Sequence, residues 1–128
     1  MRMWMQDPSI MCRKHLLGSH VEIHMFIGSI RKGISMKGYL EKNLLEPKSL
    51  LPYHDRLVSE MKSRGWKHNT PVSFWENIEM ENRLGEDIFN HKINEYDAFN
   101  ELMNRCPECL ANINKLYPET YIVHSNII

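Results

Sequence analysis

No stretch of this sequence approaches the roughly 18 consecutive apolar residues that a membrane-spanning helix needs, so no membrane partner is expected. The start also lacks the apolar centre of a secretory signal, because Asp7-Pro8 and Arg13-Lys14 interrupt it. Three cysteines are too few for a disulfide framework, and with nine methionines they fit a reducing interior. The chain is therefore expected to be cytoplasmic. It has no internal repeat, no low-complexity segment and no net charge. At 128 residues with 42% apolar content it has the size of one compact domain, expected to act as a monomer.

The neutral total hides an asymmetry. Up to His68 twelve basic residues stand against six acidic ones, and afterwards four stand against ten. A basic half on a neutral protein suggests a surface that meets a polyanion, although two oppositely charged faces could equally attract each other.

Helical periodicity dominates. One helix is predicted from about Ser9 to Lys32, started by Pro8-Ser9, with Leu16, Ile23 and Ile27 on an inward stripe. Gly33, Gly38 and Pro47 bracket a loop-rich stretch bearing Lys32, Lys37, Lys42 and Lys48. A second helix is predicted over Pro52–Arg64, with Leu57, Val58 and Met61 inward and Gly65 as its stop. After Pro71 come Phe74 and Trp75, then an acidic stretch. Further helices are predicted over Glu95–Asn104, through Tyr96, Phe99, Leu102 and Met103, and over Glu108–Leu116. The expected class is all-α, a single domain of four to five helices.

The segment that carries chemistry is His15-Leu16-Leu17-Gly18-Ser19-His20-Val21-Glu22. On a helix His15 and Glu22, seven apart, share a face within about 20°, with Ser19 and Phe26 on the same side and Arg31-Lys32 following. A histidine and a glutamate beside a cationic loop suit acid/base work on a phosphodiester polymer. The same pair on a polar helix face also reads as two solvated side chains.

Placed in order, Arg2, His15-Leu16, Glu22, Phe26-Ile27-Gly28-Ser29-Ile30-Arg31-Lys32 and Lys62-Ser63-Arg64-Gly65-Trp66 resemble the pyrimidine-dimer DNA glycosylases, the phage ultraviolet-damage endonuclease family. The resemblance covers about residues 1–72, and residues 73–128 form a divergent, acidic helical part. It implies a compact helical enzyme that excises damaged bases from duplex DNA and then nicks the strand. The nucleophile it implies is the α-amine of the first residue, here Met1, attacking deoxyribose C1′ to give a Schiff base resolved by β-elimination. An α-amine ordinarily titrates near pH 8, so part of it is neutral at pH 7. Glu22 falls on the family's catalytic glutamate, His15 on the histidine beside it, and Arg2 on the arginine after the nucleophile. No cofactor is implied. The DNA is expected to be bent and a nucleotide flipped, because C1′ is poorly accessible in a regular duplex. Arg2, Arg31, Lys32 and Arg64 are the expected phosphate contacts, and Tyr117 and Tyr121 the aromatic ones; Trp4, Trp66 and Trp75 are assigned mainly to the core. The family also carries arginines immediately before and three residues after the glutamate, where this chain has Val21 and Met25. That departure leaves open another damaged base, or a DNA-binding protein without the activity.

Two other patterns compete. His20-Val21-Glu22 with Cys106-Pro107-Glu108-Cys109 resembles a zinc deaminase, but the proline lies between the cysteines and strand–helix alternation is missing. Cys106 and Cys109 could join Cys12 and a histidine such as His124 around a structural zinc, the plainer reading being unmetallated thiols on a helical turn. His20 and His24, at i and i+4, could chelate a metal, but no carboxylate shares their face and none is expected there.

Overall fold

The computed structural model describes residues 1–68 and 77–117. Within them α-helices follow one another as α1 (Arg13–Arg31), α2 (Lys37–Glu41), α3 (Leu50–Ser63), α4 (Asn77–Leu84), α5 (Glu86–Phe89), α6 (Glu95–Arg105) and α7 (Pro107–Leu116). Short 3-10 turns occupy Pro8–Ile10 and Pro47–Ser49, and no strand forms among the described residues. The all-α expectation holds, and five of these helices are longer than a turn or two. None of them is long and apolar enough to cross a membrane.

The helix expected from Ser9 is two elements. Met11 and Cys12 take extended backbone angles between the turn at Pro8–Ile10 and α1. The interruption has a local cause: the Asp7 side chain caps the first element, and the Cys12 sulfur accepts the His15 amide to cap the second. α3 begins two residues before Pro52, whose missing amide hydrogen costs nothing in a first turn. Gly65 ends α3 at φ 81°, a left-handed angle that suits glycine. α4 and α5 lie in the acidic stretch, within the part expected to be helical but without element boundaries of its own. α6 turns Leu102 inward as expected, with Met103 packed against the core and Ala98 buried beside them, whereas Tyr96 is 66% exposed. Pro71, Phe74, Trp75, Tyr121 and His124 lie outside the described residues.

The centre of the molecule is α1 against α3, with α6, α7 and the first turn closing one side. Leu16, Ile23, Phe26, Ile27 and Ile30 of α1 meet Leu50, Tyr53, Leu57 and Met61 of α3 in one apolar cluster. The cluster also takes in Met3 and Trp4, so the chain start is part of the core.

Candidate functional site

The first six residues run as an anchored strap. Met3 and Trp4 are buried, and the Met3 amide donates to the Leu44 carbonyl at 2.8 Å. Gln6 Nε2 donates to the carbonyls of Trp4 and Glu95, each at 3.0 Å, and the Tyr53 hydroxyl donates to the Gln6 carbonyl at 2.5 Å. Burial pushes the Tyr53 pKa far above its ordinary value. This strap delivers residue 2 to the middle of α1, where the Arg2 amide donates to Glu22 Oε2 at 2.7 Å. The glutamate thus lies one residue from the N-terminal amine, and Met1 is 38% exposed at the surface. Gly18, one turn before Glu22, leaves room beside the carboxylate: a Cβ there would stand 4.0 Å from Glu22 Oε1.

Arg2 itself faces inward. Its side chain is 11% exposed, pairs with Glu101 of α6, and lies over the Trp4 ring with the guanidinium carbon 4.2 Å from the centroid. Burial, opposed by Glu101, lowers its pKa. Glu101 also binds Arg105, so one α6 carboxylate holds the arginine next to the chain start. Sequence reading missed Glu101, because nothing local marks a glutamate on an acidic helix as the partner of a residue 99 positions away.

The remaining expected contacts separate. Arg64 donates to the carbonyls of Met11 at 2.8 Å, Pro8 at 3.3 Å and Ser9 at 3.4 Å, and pairs with Glu60 at 2.8 Å. Those bonds commit it to the turn before α1. Arg31 and Lys32 are exposed at the end of α1, and Tyr117 is exposed at the end of α7. Val21 and Met25, each 54% exposed, flank Glu22 on the outer face of α1, with Lys14 and Lys32 at the two ends of that face. A cavity of about 590 Å³ lies at the C-terminal end of α1, lined mainly by Ile30, Ile34, Met36, Leu40, Leu84 and Ile88.

His15 sits with three thiols. Its Nδ1 is 3.2 Å from Cys12 Sγ and 3.7 Å from Cys109 Sγ, and Cys12 Sγ is 3.7 Å from Cys106 Sγ. All four residues could hold a metal ion. His15 thus takes the place proposed above for His124. Burial, opposed by the Cys12 backbone amide and reinforced by the Cys106 and Cys12 side chains, pushes the Cys109 thiol up to about 12, which makes it a poor free nucleophile. Glu22 belongs instead with Arg2, so the deaminase pattern does not assemble.

A second cluster forms behind α1. His20 and His24 meet His54 of α3 and His68, and these four could also hold a metal. Burial and the neighbouring imidazoles lower the His20 pKa to about 4. The carboxylate missing from the face of α1 comes from α3: Asp55 Oδ1 lies 3.2 Å from His54 Nδ1.

The first residues of the chain thus lie anchored beside a helix glutamate on an all-helical core. The family model for pyrimidine dimer DNA glycosylases matches residues 1–74, more than half of the chain, and the chain belongs to that family. It is thereby one of the DNA glycosylases, enzymes whose substrate is DNA. No curated protein and no solved structure matches it.

Proposed function

We propose that the chain is a pyrimidine-dimer glycosylase with abasic-site lyase activity, using the α-amine of Met1 as nucleophile and Glu22 as the group that manages protons. The observation that carries this reading is the 2.7 Å hydrogen bond from the Arg2 amide to Glu22, on a strap fixed by Met3, Trp4 and Gln6. Such anchoring brings a nucleophile and a carboxylate together before substrate arrives, which removes much of the entropic cost of assembling them.

In the proposed reaction the neutral amine forms a bond to C1′ as the C1′–N bond to the damaged base breaks. The carboxylate of Glu22 stabilises the cationic sugar and takes the proton the amine sheds. The sugar ring opens to an imine, a 2′ proton is removed, and the bond from C3′ to its phosphate oxygen breaks, which nicks the strand. Water then releases the enzyme from the imine. Arg31, Lys32 and Lys14 supply phosphate contacts around this centre, and Tyr117 an aromatic one. Arg2 and Arg64 act as internal supports, since their guanidinium groups are engaged by Glu101 and by the carbonyls before α1. His15 acts through the thiol cluster and not on the substrate.

Val21 and Met25 support a variant of the substrate reading, because an apolar surface beside Glu22 accepts a flipped base by contact instead of by charge. The test is borohydride trapping of the untagged protein on duplexes carrying either an abasic site or a thymine dimer. An adduct at Met1 on both supports the full reading, and an adduct on the abasic duplex alone leaves the lyase with a different base as target. No adduct on either makes it a DNA-binding protein without this chemistry. A residual N-terminal tag is expected to abolish trapping, and full activity in a tagged protein contradicts the amine nucleophile.

A further inference from the structure

We propose that His20, His24, His54 and His68 bind a divalent zinc ion that ties α1, α3 and the segment after α3 together behind the face bearing Glu22. The side chains come from three places in the chain, yet their Nε2 atoms converge. His20 Nε2 is 3.2 Å from His54 Nε2, 2.9 Å from His68 Nε2 and 3.2 Å from His24 Nε2, and His24 Nε2 is 3.2 Å from His54 Nε2. A tetrahedron of nitrogens around zinc, with bonds near 2.0–2.1 Å, has edges of about 3.3 Å. The cluster is within a few tenths of an ångström of that figure.

Hydrogen bonding alone does not account for the convergence. Each neutral imidazole presents at Nε2 either a proton or a lone pair. His20, His24 and His54 form a triangle of contacts, so whichever tautomers are chosen, two like groups face each other at 3.2 Å. A cation at the centre removes the conflict, with every lone pair directed inward and every proton on Nδ1. The outer side of the cluster fits that tautomer: His54 Nδ1 has the Asp55 carboxylate as its partner at 3.2 Å, the arrangement that orients and strengthens a histidine ligand. On α1, His20 and His24 are one turn apart, a spacing that lets both reach one ion. Four imidazoles suit zinc, copper or nickel, and the near-tetrahedral spacing favours zinc.

The thiol cluster independently carries a second zinc site, Cys12, His15, Cys106 and Cys109. Its 3.7 Å separation between Cys12 Sγ and Cys106 Sγ matches the roughly 3.8 Å edge of a zinc–sulfur tetrahedron. Three backbone amides point at the sulfurs: Cys12 N at Cys109 Sγ (3.2 Å), Cys109 N at Cys106 Sγ (3.4 Å) and His15 N at Cys12 Sγ (3.4 Å). Cys12 and Cys106 also cap the N-termini of α1 and α7, so the free amides of both helix starts face sulfur. Amide donors are what anionic sulfur requires once metal has displaced its proton.

The test is metal analysis of untagged protein made in zinc-supplemented medium and purified without chelator, with X-ray absorption at the zinc edge. Two ions per chain are expected, with a first shell averaging five nitrogens to three sulfurs over the pair. One ion per chain with one nitrogen and three sulfurs overturns the histidine site and keeps the thiol site. One ion with nitrogens alone does the reverse, and no zinc overturns both. His24→Asn is expected to lose one ion and leave the sulfur signal intact, whereas Cys109→Ser loses the sulfur signal. The ratio of nitrogen to sulfur in the unaltered protein decides the matter even where a variant fails to fold. These readouts are independent of nicking activity.

Discussion

The Glu22 carboxylate accepts a backbone amide of the strap that carries the chain start, so its charge and its position are separable by substitution. Glu22→Gln keeps an acceptor oxygen for the Arg2 amide but removes the charge and the base. Nicking of damaged duplex is expected to fall by about 10²–10⁴-fold, the usual worth of a positioned acid or base, with binding to the same duplex changed little. Gel assays of cleavage and retardation check both, and unchanged nicking removes Glu22 from the mechanism. Tyr53 gives a second separable effect. Its buried hydroxyl keeps its proton in the folded chain well above the ordinary value near 10, so the stability it adds is complete below about pH 10 and is lost as pH rises from there towards the folded pKa. Urea midpoints between pH 9 and pH 11 are therefore expected to fall more steeply for the unaltered protein than for Tyr53→Phe. Equal slopes exclude Tyr53 as the titrating group.

Between elements, the decisive contact joins α6 to the N-terminal strap. Glu101 holds Arg2 against Trp4, and Arg2 is the residue whose amide meets Glu22. Glu101 is a positioning residue, since it touches Arg2 and not the carboxylate of Glu22. A charge-assisted hydrogen bond is worth about 1.5–3 kcal/mol, so Glu101→Ala is expected to slow borohydride trapping by about ten-fold or more. The effect should appear in the single-turnover rate and leave duplex affinity unchanged, and Glu101→Gln, which keeps an acceptor, should recover part of it. Trapping as fast in Glu101→Ala as in the unaltered protein shows that the strap is held without Glu101. The acidic second half thus has a definite task at this contact, although its charge alone reads only as a solvated surface.

Across the whole molecule the charge asymmetry has a measurable consequence. The exposed cations Lys14, Arg31 and Lys32 lie along or just past α1, on the element that carries Glu22. Affinity for duplex DNA is expected to fall with salt, with a slope near 0.9 for each phosphate neutralised. Lys32→Ala should lower that slope by about one and weaken damaged and undamaged duplexes alike. A slope unchanged in Lys32→Ala places the phosphate contacts elsewhere on the surface.

Local pattern determined much of this protein. The 3.6-residue period of Leu16, Ile23 and Ile27 and of Leu57, Val58 and Met61 specified α1 and α3 and the faces they bury, and the fixed spacing from Arg2 through His15 to Trp66 specified the family. Positions set by long-range contact were not legible. Arg2 and Arg64 read as phosphate contacts because a sequence shows a charge but not the carboxylate or carbonyls that consume it. Tyr96 read as core because a helix period does not say which of its stripes meets a neighbour. The histidines at 20, 24, 54 and 68 and the group at 12, 15, 106 and 109 were visible only in fragments, because metal ligands from separate helices share a point in space and no spacing in the chain. Tertiary packing alone decided that α7 meets the start of α1, that α3 meets its middle, and that the chain start lies against Glu22.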